Sequence, residues 1–270
     1  MMNARKVVIV TKPKHPDVAR VAGELVAWFK SKKLTATLEP EAASTADLAV
    51  VLGGDGTLLA AARLLGHRQI PIVAVNYGGL GFLTEVTLDE MYPALDRVLA
   101  GEFVTQLRMM MELQVSREGK RLADYRALND VVINKGTLSR MIELEARVDG
   151  QYVSRFRADG LIVSTPTGST AYNISAGGPI IFPTMSAMVI TPICSHTLTN
   201  RPIVLPEDVK IDIMLRSAQA DVYVTVDGQV GLNLEMEDHL TVSRSRIAVK
   251  LVAPADKNYF DVLRGKLKWG

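Results

Sequence analysis

The chain is 270 residues long, 48% hydrophobic and 22% charged, with a formal charge of +2. That length suits one large domain or two modest ones, and the near-neutral balance argues against a nucleic-acid or anionic-membrane partner. No apolar run nears the ~20 residues that a bilayer crossing needs, and the opening MMNARKVVIVTKP lacks the layout of a signal peptide. The single cysteine, Cys194, excludes an intramolecular disulfide framework and fits a reducing, cytoplasmic setting. Its apolar surroundings, VITPICSH, predict a buried and inert thiol.

The first hundred residues alternate strand and helix patterns. KVVIVT (6–11) is a short apolar run of the kind a buried strand needs. After Pro16, the residues Val18, Val21, Ala22, Leu25 and Phe29 recur at helical spacing. LTATLE (34–39) reads as a second strand and DLAVVLG (47–53) as a third. A helix from about Thr57 to Leu65 leads into the strand PIVAVN (71–76). Past the loop YGGLGFL, another helix spans about Leu88 to Leu99. Strand and helix in this alternation predict a parallel sheet in an α/β, Rossmann-like N-terminal domain over residues 1–100.

Beyond Gly101 the period changes. IELEARV (142–148) alternates, turns at Asp149-Gly150 and returns as QYVSRFRA, a strong hairpin signal. VKIDIMLR (209–216), VYVTV (222–226) and LTVSRSRIAVKLV (240–252) alternate as well, and Asp227-Gly228 offers another turn. A β-rich, mainly antiparallel domain is therefore expected over residues 101–250. The closing NYFDVLRGKLKW (258–269) reads as a helix, and the segment 251–270 is expected to pack back onto the first domain.

Three stretches carry chemistry. In GGDGT (53–57), glycines permit close approach of backbone N–H groups to a ligand, and the following helix adds unpaired donors and the positive end of its dipole. The same residues also suit a tight strand-to-helix turn with Asp55 as its cap. There is no Walker-type lysine and no G-x-G-x-x-G fingerprint. An acid among phosphate-binding glycines makes sense as the general base that takes a proton from an acceptor hydroxyl, with a divalent ion on the nucleotide masking repulsion. The second stretch, RADGLIVSTPTGSTAYNISAGGPI (157–180), crowds hydrogen-bonding side chains between glycines and apolar anchors, as a rigid ligand-binding loop would. In the third, YRALNDVVINKG, Asn129 and Asp130 sit at the head of an apolar run, where they suit ribose hydroxyls, a carboxamide or plain turn chemistry.

On these residues the sequence resembles the NAD kinase family. The resemblance rests on GGDGT (53–57), NYGGLGFL (76–83), ALNDVVI (127–133) and DGLIVSTPTGSTAYNISAGGPI (159–180). It continues through CSHTLTNRPIVLP (194–206), VDGQ (226–229) and FDVLRGKL, in order over nearly the whole chain. It implies two domains with NAD in the cleft between them, ATP or polyphosphate as donor, and Mg²⁺ or Mn²⁺ delivered with ATP. It also implies a homodimer or homotetramer, with a neighbouring subunit completing the site. By the same resemblance, Asp55 accepts the proton of the adenosine ribose 2′-hydroxyl. Gly53, Gly54 and Gly56 frame phosphates in the motif that Thr57 closes, and Phe82 lies against the adenine. Asn129 and Asp130 bind NAD, Asp130 standing where many relatives carry glutamate. Asp159, Thr170, Ala171, Tyr172, Asn173 and Ser175 form the NAD-contacting loop, and Gln229 adds a further contact. Arg157 meets a substrate phosphate or pairs with a carboxylate, and Arg140 is a similar candidate.

No histidine makes a metal-ligand spacing: His15 and His67 read as loop residues, His196 as structural or supporting, and His239 as the start of a strand. The run Met109–Met111 reads as core or interface packing, and no G-x-S-x-G elbow supports a hydrolase. Two other readings compete with an NAD kinase. A lipid kinase would need an apolar channel in place of the polar 159–180 loop, and a non-catalytic dinucleotide sensor would have no use for Asp55.

Overall fold

The computed structural model describes residues 5–11, 16–65, 68–79, 81–137, 140–195, 199–218, 221–253 and 258–269. The readings of His15, His67 and His196 lie outside these residues. The chain divides into two compact units, residues 1–107 with 247–270, and residues 108–246.

The first unit runs β1 (Lys6–Thr11), α1 (Pro16–Ser31), β2 (Thr35–Thr37), β3 (Leu48–Gly53), α2 (Asp55–Leu65), β4 (Pro71–Asn76), β5 (Val86–Thr87) and α3 (Leu88–Ala100). Its strands pair in parallel in the order β2-β1-β3-β4, with β5 alongside β4. Every residue of β3 is buried, which explains why it reads as a continuous apolar run and not as an alternation. On α1 the five residues at helical spacing are all buried, and each of the four larger ones, Val18, Val21, Leu25 and Phe29, contributes about 1.5–3 kcal/mol of transfer free energy. At the start of α3 the Glu90 carboxylate accepts the Thr87 N–H at 2.9 Å, and Gly101 ends the helix at φ +84°.

In this unit two boundaries differ from expectation by two residues. β2 stops at Thr37 because Leu38 is exposed and Pro40 opens a 3₁₀ turn, where a missing N–H ends the ladder. α2 begins at Asp55 and not at Thr57. The Gly54 carbonyl already accepts the N–H groups of Thr57 and Leu58, at 2.9 and 3.2 Å. The acid therefore sits in the first turn, at the positive end of the helix.

The second unit continues with β6 (Val104–Arg117), β7 (Lys120–Ala127), β8 (Asp130–Lys135), β9 (Ile142–Val148), β10 (Gln151–Ala158), β11 (Gly160–Ser164) and the single-turn α4 (Tyr172–Ser175). Then follow β12 (Ala187–Ile193), β13 (Ile203–Pro206), β14 (Ile211–Leu215), β15 (Val222–Val226), β16 (Val230–Leu234) and β17 (His239–Ala253). One antiparallel sheet has the order β13-β12-β11-β8-β15-β16. In the other, β10, β9, β14 and β17 are successive neighbours and β6 joins β17 to β7. One core takes side chains from both sheets, among them Met111, Leu144, Phe156, Leu161, Ile190, Val224 and Val242. Met109, Met110 and Met111 are all buried. Both Asp-Gly hairpins turn as their sequences predict, with positive φ at Asp149 and Gly150 and at Asp227 and Gly228.

The unit boundary falls inside β6 and β17. Lys250 and Leu251 near the end of β17 pair in parallel with Pro71 and Ile72 of β4. The chain closes with α5 (Tyr259–Leu267), whose first turn is capped by Asn258 accepting the Asp261 N–H at 3.1 Å. Cys194 corrects an expectation: its residue is exposed. β12 ends at Ile193 and the next residue adopts φ +46°, turning out of the buried strand, so apolar neighbours do not bury it.

Candidate active site

In the first unit, the site is the turn between β3 and α2. Gly53 is buried, and a Cβ there would lie 2.3 Å from Thr57 Oγ1. Its glycine is thus required by the packing of Thr57 against the strand end. Gly54 and Gly56 are exposed, and a Cβ on Gly54 would meet nothing within 4 Å. That leaves open backbone at the N-terminus of an 11-residue helix, where an anion is favoured.

The Asp55 carboxylate does not cap its own helix. It accepts the N–H groups of Phe82, Leu83 and Thr84 at 2.9, 3.2 and 3.2 Å, and the Thr84 hydroxyl at 3.0 Å. The glycine-rich loop after β4 is therefore folded onto the carboxylate. Gly81 makes this possible, since a Cβ there would lie 2.1 Å from Asp55 Oδ1. Phe82, half-buried, is bound to Asp55 through its backbone.

In the second unit, three motifs far apart in sequence are tied into one polar cluster. Asp227, in the β15–β16 turn, accepts the N–H groups of Leu128, Asn129 and Asp130 at 3.2, 2.7 and 3.3 Å, and its own N–H donates to the Asp130 carbonyl at 3.0 Å. From the 159–180 stretch, the Thr165 hydroxyl donates to the Leu128 carbonyl at 2.6 Å and accepts the Gly168 N–H at 3.0 Å. A Cβ on Gly168 would lie 2.1 Å from the Asn129 carbonyl oxygen, so only glycine allows the two segments to touch. Two buried polar atoms here have no partner, Asn129 Oδ1 and Thr167 Oγ1. Buried orphans are rare in folded proteins, and a pair on touching segments points to a ligand that completes them. Asp130 is buried beside a like charge; burial first, and then Asp227, raise its pKa to about 7.

Asn173 is fully buried and fully engaged: its amide donates to the Ser169 and Pro179 carbonyls and its oxygen accepts the Thr191 hydroxyl at 2.6 Å. It braces the loop internally. Around it Thr170 and Ala171 are half-buried, while Tyr172 and Ser175 are exposed and open to a ligand. Gln229 is exposed next to the Asp227-Gly228 turn. Arg140, Arg157 and Asp159 come together with Lys135, Glu143 and Ser217 around an open cavity of about 570 Å³. In it Arg157 pairs with Glu143 at 3.3 Å and Asp159 with Lys135 at 3.6 Å. So Arg157 has a carboxylate partner, and because exposed pairs contribute little, its guanidinium can turn to a phosphate at small cost.

Sequence reasoning quoted Asn76, Thr165, Thr167 and Asp227 within motifs without giving them a part in the site, and passed over Thr84. A signal existed for two of them: Asn76 and Thr84 are the polar residues that close the ends of the glycine-rich loop.

A carboxylate presented at an open glycine turn, and a braced polar loop with unpaired acceptors, are the equipment of a nucleotide-dependent phosphotransferase acting on an alcohol. The family models agree: the ATP-NAD kinase N-terminal domain matches residues 26–103 and the ATP-NAD kinase C-terminal domain residues 128–253. NAD kinases of Geotalea daltonii and Geobacter sulfurreducens are each 50% identical over 281 aligned residues, covering 98% of this chain and 99% of the relative. Yeast NADH kinase, solved with NADH, superposes with a TM-score of 0.90 at 26% identity, over 98% of this chain and 88% of that one. An NAD kinase of Archaeoglobus fulgidus, solved with ATP, gives 0.78 at 26% identity, over 97% and 98%. The chain belongs to the NAD kinase family.

Proposed function

We propose that the protein transfers the terminal phosphoryl group of ATP to the 2′-hydroxyl of the adenosine ribose of NAD, giving NADP. The observation that carries the reading is the Asp55 carboxylate, held by four donors beside the open backbone of Gly54. Asp55 takes the 2′-hydroxyl proton. The freed oxygen bonds to the γ-phosphorus as the bond to the β–γ bridging oxygen breaks, and ADP leaves.

The chain's other residues bind and orient. The positive end of α2, at the exposed backbone of Gly54, stabilises phosphate oxygens. Asn129 Oδ1 and Thr167 Oγ1 accept or share hydrogen bonds with the dinucleotide, and Asp130 holds a hydroxyl or amide. The exposed side chains of Tyr172, Ser175 and Gln229 complete its recognition, and Arg140, Arg157 and Asp159 serve its charged and polar groups. Among the described residues no three His, Cys, Asp or Glu side chains gather as metal ligands. Mg²⁺ or Mn²⁺ enters this reading on the oxygens of the triphosphate, as part of the substrate. We further propose a cytoplasmic homo-oligomer, dimeric or tetrameric; a monomer by sedimentation at assay concentration would overturn that part.

The test is an end-point assay with purified protein, NAD, ATP and Mg²⁺, reading NADP with an NADP-specific dehydrogenase. A second arm replaces ATP by polyphosphate. NADP from wild type, and NADP formed at least about 10²-fold more slowly by Asp55→Asn, is the expected result. No NADP with either donor overturns the reading.

A further inference from the structure

We propose that Thr84, itself locked by Asn76, is the positioning residue for the catalytic carboxylate, anchoring Asp55 Oδ1 so that Oδ2 is the oxygen that takes the proton. The inference rests on the reading of Asp55 as general base and adds to it the device that aims it.

The two carboxylate oxygens are not equivalent. Oδ1 accepts three donors, the N–H groups of Leu83 and Thr84 at 3.2 Å each and the Thr84 hydroxyl at 3.0 Å. Oδ2 accepts one, the Phe82 N–H at 2.9 Å. A carboxylate oxygen has about two lone-pair directions, so Oδ1 is filled and Oδ2 keeps one vacancy for an incoming hydroxyl.

The direction of the Thr84 proton follows from backbone groups that can act in one sense only. Asn76 Oδ1 accepts the Gly78 N–H at 2.7 Å, and its Nδ2 donates to the Gly79 carbonyl at 2.8 Å. An N–H cannot accept and a carbonyl cannot donate, so the amide has one orientation. Its Nδ2 therefore donates to Thr84 Oγ1, at 2.8 Å. With that oxygen receiving a donor, the single hydroxyl proton of Thr84 is left for Asp55, which as a carboxylate can only accept.

Burial makes the relay stiff. Thr84 is fully buried and Asn76 nearly so, and the space around Thr84 Oγ1 is closed by the backbone of Gly81, whose Cβ would lie 2.3 Å away. A base fixed by a third group is the arrangement that nucleophile-activating sites share, here with a hydroxyl and an amide as the fixing pair.

The experiment compares full-length wild type, Thr84→Val, Thr84→Ser, Asp55→Asn and the double variant Asp55→Asn/Thr84→Val in steady-state NADP formation, with a thermal melt of each. Thr84→Val is nearly isosteric and removes only the hydroxyl. It is expected to lower kcat about 10-fold or more while KM for NAD and ATP stays within about 2-fold. Thr84→Ser restores the hydroxyl and with it kcat, to within about 3-fold of wild type. The double variant is no slower than Asp55→Asn alone, because Thr84 acts through Asp55.

Unchanged kcat in Thr84→Val, a loss that serine does not rescue, or additive losses in the double variant would each overturn the proposal and leave the reaction itself standing. No NADP from wild type overturns both. If Thr84→Val shows no cooperative melt, Thr84→Ala carries the same expectations, since a small cavity replaces the branched side chain.

Discussion

Two acids of this protein, Asp55 in the first unit and Asp130 in the second, are both candidates for contact with the same dinucleotide and are held in opposite ways. Asp55 is half-buried and met by donors alone, three N–H groups and a hydroxyl from one loop. Asp130 is buried, and that burial first, then the nearby carboxylate of Asp227, raise its pKa to about 7. A carboxylate surrounded by donors has its geometry fixed before substrate arrives. A carboxylate buried beside another is instead kept near the edge of ionisation, and waits for a ligand's donors to compensate it. The first arrangement suits chemistry, the second recognition.

The sharpest way to break this contrast is to neutralise each acid in turn. Asp55→Asn should lower kcat by about 10²-fold or more while NAD still binds, measured by steady-state turnover beside calorimetric titration. If NAD binding disappears together with turnover, Asp55 belongs with the recognition residues and the contrast fails. Gly168→Ala is next in size. Its Cβ would strike the Asn129 backbone at 2.1 Å, and backbone cannot swing aside. A displacement near 1 Å in a positioned site costs on the order of 10²-fold, here expected mainly in KM for NAD.

Asp130→Asn tests the second acid through pH. The unfolded carboxylate loses its proton near the ordinary aspartate value of 3.8, the native one near 7. Between these values the native state binds the extra proton, so stability from this group falls as pH rises and is lowest above about 7. The variant's Tm relative to wild type should therefore climb between pH 5 and pH 8, and a flat difference would show that Asp130 is not held against ionisation. The smallest effect belongs to Cys194: exposed in the native protein, it should take up one equivalent of a thiol reagent without denaturant. Protection from the reagent would return it to the buried role its neighbours suggest.

Local chemistry was legible in the sequence wherever a feature is decided within a few residues. The buried face of α1, the limits of β1 and β4, and both Asp-Gly hairpins follow from periodicity and from the positive φ that Asp and Gly tolerate. The GGDGT turn and the polar 159–180 loop were visible for the same reason, since glycine spacing and helix onset are neighbours in the chain. What stayed hidden is the set of partners. Thr84 meets Asp55 across 29 residues and Asp227 meets Asn129 across 98, and a threonine or a turn aspartate looks alike whether it faces solvent or a buried carboxylate.

The same distance effect hid the packing contacts of Asn173 and Gly53 and misread the burial of Cys194. Asn173 turns inward to Thr191, Gly53 is spent on Thr57, and Cys194 leaves its strand at φ +46°. By itself, then, the sequence determined the elements, the family and the stretches from which a candidate site is drawn, because those depend on short-range pattern. Only the tertiary structure decided which oxygen of Asp55 is held and which is open, because hydrogen-bond partners are chosen by contacts in space that no local spacing encodes.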